Sequence, residues 1–92
     1  MTKEIKKLAL LLIEAEIPFQ ITKDVEDNEA NQIWYPSRSK SVCDAICHRY
    51  SYGGNEGLLE IMGLTTYEDD VDGYLTAEEV FGRIHANYFG TV

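Results

Sequence analysis

The segment 68–79 places oxygen-bearing side chains where a calcium loop needs them. An EF-hand requires ligands at alternating positions, a glycine for its sharp turn and a bidentate glutamate at the end. Counting from Glu68, Asp70 and Asp72 take the third and fifth places, Gly73 the sixth, Leu75 the apolar eighth, Thr76 the ninth and Glu79 the twelfth. The departures are serious. Glu68 stands where the shorter Asp belongs, Gly57 and Gly63 interrupt the lead-in helix, and Thr65-Thr66 weaken it. No second hand exists to pair with it. The competing reading, which we expect to hold, is a solvated acidic loop running into a capped helix whose Glu78 and Glu79 suit the dipole of its first turn. We therefore expect no cofactor or metal. A calcium-binding module with a degenerate EF-hand-like loop at 68–79 stands as the alternative.

Cys43 and Cys47 bracket Asp44, with His48 next in line. Zinc wants four ligands, commonly from paired Cys-x-x-Cys units. Here the spacing is one residue too long and the only other histidine is His85. On a strand the two thiols share a face about 13 Å apart, too far for one metal or a disulfide. On a helix they would be neighbours. Small buried thiols are the common case. A further constellation is Asp44 and His48 with Glu60, which on one sheet face could form a small hydrolase site. No nucleophile stands in a recognisable motif, so no catalytic residue is assigned.

Charge is concentrated. Ten of the sixteen acidic residues fall in two stretches: 24–29 carries −4 and 56–72 carries −6 of a net −8. Scattered basic residues and a pI near 4.5 argue against direct nucleic-acid binding, which needs clustered Lys and Arg. An acidic surface suits cations, basic proteins or plain solubility. Ninety-two residues make one domain, 1–92, with room for one modest core. At 45% hydrophobic and 26% charged, disorder of the whole chain is not expected. The longest apolar run, 8–13, is far short of the ~20 residues that span a bilayer. No secretory signal is read at the start, which points to a cytoplasmic protein with reduced thiols.

These residues must be positioned by a small set of elements. Ile5, Leu8, Leu12 and Ala15 predict an amphipathic helix over 3–16, with Thr2 as N-cap and Ile17-Pro18 as its stop. Residues 19–22 and 31–35 alternate as strands about a turn at 27–29. Residues 41–49 and 57–62 are read as two more strands between glycine turns, with helix over 42–50 and over 56–62 as the open alternative. Residues 64–73 read as a polar loop. Thr76 and Glu79 form a capping box for a helix over 77–88, with Val80, Phe81, Ile84 and Tyr88 on its apolar face. The expected fold is α+β: an antiparallel sheet of about four strands with two helices packed on one face, in the order α-β-β-β-β-α.

In that arrangement Phe19, Ile21, Cys43, Ala45, Cys47, Leu59 and Ile61 line the covered face. Trp34, Val42, Ile46, Leu58 and Met62 are left on the other, as a binding or dimer surface. The alternative places Trp34 in the core, with the parity shifted by a bulge. Together with Asp69, Asp70 and Asp72, the open face supplies the candidate interaction residues.

Four runs carry a resemblance: Val42-Cys43-Asp44-Ala45-Ile46-Cys47-His48, Ser51-Tyr52-Gly53-Gly54, Glu56-Gly57-Leu58-Leu59-Glu60 and Gly73-Tyr74-Leu75-Thr76-Ala77-Glu78-Glu79-Val80-Phe81. Together they resemble a family of small uncharacterised proteins encoded in phages and prophages of Gram-positive bacteria. The resemblance covers most of 31–88. It brings no activity, cofactor or catalytic residue. It implies a protein of a mobile element working inside the host cell, and it favours the helix-start reading of 73–81 over calcium. The expected function is non-enzymatic: binding to another protein, such as a basic nucleic-acid-binding or defence protein of the host, or to a second copy of itself.

Overall fold

The computed structural model describes residues 2–25, 28–66 and 70–90. Its elements run α1 (Lys3–Glu14), β1 (Gln20–Lys23), β2 (Ala30–Tyr35), β3 (Cys43–Ile46), a single 3-10 turn (Gly54–Glu56), β4 (Leu59–Met62), β5 (Val71–Leu75) and α2 (Ala77–Phe89). The strands form one antiparallel meander in sequence order. The fold is α+β with five strands rather than four, in the order α-β-β-β-β-β-α. The additional strand is β5, which falls where the sequence reads as loop. Asp72 and Gly73 disfavour a strand by propensity, but pairing with β4 overrides them: Leu75 sits opposite Leu59 and Val71 opposite Met62.

The segments with two readings are strands. In β2 alternation is strict, with Asn31, Ile33 and Tyr35 buried and Gln32 and Trp34 half-buried. β3 and β4 bury Cys43, Ala45, Leu59 and Ile61 on the same face. That face meets Ile5, Leu8 and Leu12 of α1 and Ala77, Val80 and Ile84 of α2 to form the core. Phe81 is half-buried beside it rather than within it, and Tyr88 is exposed. On α2 the positions 77, 80 and 84 make one line and 81 falls to its side; Tyr88, one turn beyond Ile84, has its ring centre 6.4 Å from that of Tyr35.

The helices start differently. Thr2 occupies the N-cap position of α1 but its side chain makes no cap bond. At α2 the capping box is complete: the Thr76 hydroxyl accepts from the Glu79 backbone N–H at 3.2 Å, and the Thr76 N–H donates to Glu79 Oε1 at 3.1 Å. A third oxygen arrives from α1, where Glu4 Oε2 accepts from the Ala77 N–H at 2.7 Å. Lys7 then pairs with Glu78 at 3.3 Å. The first-turn amides of α2 are thus satisfied partly by its neighbouring helix. Thr76→Ala is expected to cost about 1 kcal/mol, read as a lower midpoint in a urea melt. Because Phe81 is half-buried, Phe81→Ala is expected to cost less than the ~3–5 kcal/mol of a fully buried phenylalanine.

Among the described residues, no helix is long and apolar enough to cross a membrane.

Candidate functional site

Both helices lie on one side of the meander, so its other side carries the remaining alternate residues. Gln20 and Thr22 of β1, Gln32 and Trp34 of β2, Asp44 and Ile46 of β3, and Glu60 and Met62 of β4 pair across strands on that open face. Val42 and Leu58 continue the alternation just ahead of β3 and β4. Met62 is 53% exposed and Val42 44%. Trp34 belongs to this face and not to the core, which takes its neighbours Ile33 and Tyr35. The indole is nevertheless fixed. Its Nε1–H donates to Thr22 Oγ1 at 3.0 Å, and the Arg38 guanidinium stands 5.7 Å from the ring centre. An amphipathic ring held in place at low entropic cost is the kind of group that anchors contacts between proteins.

The ionisable strand residues of this face are Asp44 and Glu60, both acidic. Asp44 Oδ2 accepts from the Gln32 side-chain amide at 2.8 Å. Burial pushes the Asp44 carboxyl above its ordinary range, and the Gln32 hydrogen bond only partly offsets it.

The acidic segment 68–79 is used otherwise than a metal loop would need. Glu68 and Asp69 lie outside the described residues. Asp70 is exposed at the entry to β5. Asp72 is turned towards α2: its Oδ2 accepts from Arg83 at 2.6 Å, from the Thr66 N–H at 2.7 Å and from the Thr66 hydroxyl at 2.9 Å. These donors, the Thr66 N–H foremost, hold its carboxyl below the usual range. Arg83 also donates to the Leu64 carbonyl at 3.1 Å, so Asp72 and Arg83 tie the loop before β5 to α2. Thr76 and Glu79 are spent on the capping box, and a metal recruiting Glu79 would break it. Among the described residues, no group of three or more His, Cys, Asp or Glu is placed to hold a metal ion.

The Asp44–His48–Glu60 reading needs correction. β3 ends at Ile46, and His48 lies in the following turn rather than on the sheet face. Its partner is Asp24, beyond the end of β1, with Nε2 2.9 Å from the carboxylate. Its Nδ1 accepts from the Tyr50 N–H at 3.2 Å. A ring whose Nδ1 accepts carries its proton on Nε2, the atom that faces Asp24. His48 thus joins the ends of β1 and β3. A cavity of about 350 Å³ lies beside it, with Thr2, Asn31, Cys47, Arg49 and Asn55 among its walls. Cys47 and His48 both line this cavity. The Asp24–His48 pair spans three strands and has no local signature in the sequence.

Cys43 and Cys47 are both buried and free. Burial, and then the charge of Asp44, push the Cys43 thiol up to about 12. Both thiols are shielded by burial, and for Cys43 the reactive thiolate is disfavoured as well, so labelling of both under native conditions is expected to run at least about 100-fold slower than in urea. Rapid native labelling, or a disulfide between them, would contradict the strand and its burial. No family model, no curated protein and no solved structure matches this chain.

Proposed function

We propose that this is a non-enzymatic protein-binding module whose contact surface is the open face of the sheet. The observation that carries the reading is the composition of that face. It combines a fixed Trp34, exposed Met62 and Val42, half-buried Ile46 and Leu58, and two carboxylates with no basic strand residue among those described. Apolar area with a few oriented charges is the anatomy of an interface core and its rim. The sign of the charges, and the net −8 of the chain, favour a basic partner. The resemblance to phage and prophage proteins supports the setting: host cytoplasm, with a basic nucleic-acid-binding or defence protein of the host as partner.

Asp44 bears on this directly. Its folded carboxyl titrates above the unfolded value, so the fold binds that proton more tightly than the unfolded chain does. The associated stability is complete below the unfolded value, near ~3.9, and is lost as pH rises through the folded one. At neutral pH the ionised, half-buried carboxylate is therefore a cost, which a cation from a partner would relieve. Asp44→Asn is expected to be more stable than wild type at pH 7, with the difference shrinking towards pH 3.5 in parallel urea melts. The same change is expected to weaken partner binding.

The test is affinity capture from host cells with wild type, Val42→Asp, Met62→Asp and, as a helix-side control, Glu14→Ala. Wild type and the control should retain one basic protein in near-equimolar amount, and the two face variants should lose it while melting normally. Retention by the face variants would overturn the reading. So would sedimentation of wild type as a dimer that Met62→Asp dissociates, with no basic partner captured, because the face would then serve self-association.

A further inference from the structure

A second cavity, of about 200 Å³, lies between the 3-10 turn and β5 and is walled by Ser51, Tyr52, Gly53, Asn55, Glu56 and Tyr74. Its two tyrosines are 62% and 59% exposed, so hydrophobic burial does not explain their placement. Their approach depends on two glycines. A Cβ on Gly73 would stand 2.3 Å from Cβ of Tyr52, and one on Gly53 would stand 2.9 Å from the backbone of Tyr74. Without those side chains the turn lies against the edge strand, where the Tyr74 N–H donates to the Tyr52 carbonyl at 3.2 Å. Tyr74 itself holds a left-handed φ of 58°, a conformation that costs a non-glycine residue about 1–3 kcal/mol.

The lining chemistry is specific in sign. Phenol rings attract cations through the quadrupole of the π-system. The Glu56 carboxylate offers a charge-assisted hydrogen bond, and Ser51 and Asn55 add neutral polar groups. The walls contain no Lys, Arg or His. The cavity also adjoins the open sheet face: Leu58, which continues that face ahead of β4, has its Cβ 3.1 Å from where a Cβ on Gly53 would lie.

We propose that this cavity receives a lysine or arginine side chain of the protein partner that docks on the open face. The proposal rests on the protein-binding reading and deepens it, by assigning the pocket that recognises the partner's positive charge.

The probe is a blocked tripeptide, acetyl-Gly-Lys-Gly-amide or its arginine analogue, with acetyl-Gly-Gln-Gly-amide as the neutral control. Each is titrated into isotope-labelled protein and followed by amide NMR. The cationic peptides should give saturable shifts at Asn55, Glu56 and Tyr74, and the glutamine peptide should not. Glu56→Gln, at an exposed turn, should weaken the response at least about fivefold, the loss expected of one charge-assisted contact. Tyr74→Gly should abolish it while keeping or raising the melting temperature, because glycine accepts the left-handed conformation. No saturable shift with either cationic peptide would overturn the proposal, as would shifts that persist in Tyr74→Gly. Saturable shifts with neutral methyl glycosides in place of the peptides would overturn it in favour of a sugar site. Met62→Asp should leave the peptide response intact while losing the captured partner, so the pocket and the open face fail separately.

Discussion

Ile61→Ala is expected to destabilise the protein by about 2–5 kcal/mol, whereas Met62→Ala, one residue further on, should change stability by no more than about 0.5 kcal/mol. Ile61 is fully buried; Met62 is more than half exposed. Ile61 lies opposite Ala45 of β3 and faces the helices, so its truncation leaves a cavity that the helices cannot easily close. For a domain of this size the loss should lower the melting temperature by at least about 10 °C. The contrast also tests the register. A slip of one residue would move every side chain of β4 to the other face and invert the two results. Thermal melts of the two variants side by side decide it.

Gly63→Ala is the second large effect. Gly63 follows β4 with a φ of 83°, and a Cβ there would lie 2.1 Å from the Val42 carbonyl oxygen. The obstacle is backbone, which cannot rotate away as a side chain can. Strain at such a φ alone costs about 1–3 kcal/mol, and the clash adds to it, so a total near ~3 kcal/mol or more is expected. The change should also shift the amides of Val42 and Cys43 and weaken partner binding, since Val42 belongs to the open face. A melting temperature within a few degrees of wild type would show that the β3–β4 junction is looser than described.

The parts of this fold that could be read from sequence are those set by local pattern. Alternation over 31–35 predicts β2, and of the two placements the sequence leaves open for Trp34 the structure takes the open face, with Ile33 and Tyr35 inward. The Thr76-x-x-Glu79 spacing gives the capping box. β5 has no clear local pattern because Asp72 and Gly73 argue against a strand, and only pairing with β4 overrides them. The same acidic residues suggested a calcium loop. In three dimensions Asp72 serves Arg83 and Thr66, and Glu79 serves Thr76. Long-range polar pairs left no trace in spacing. Asp24 with His48, and Glu4 with the first amide of α2, join residues that are neighbours only after folding. Nothing in the local sequence marks the backbone of Tyr74 for a related reason: its left-handed conformation lies in the bulged pairing of β4 and β5 and does not follow from its own preference.

The open sheet face as the contact surface is tested most directly by methyl NMR of the labelled protein with its captured partner. The side-chain methyls of Val42, Ile46, Leu58 and Met62 report on that face. Those of Leu10 and Ile13, 51% and 59% exposed on α1, report on the helix side. The account predicts that partner addition shifts or broadens the first set and leaves Leu10 and Ile13 unchanged. Perturbation of Leu10 and Ile13 with the sheet-face methyls unmoved would contradict it.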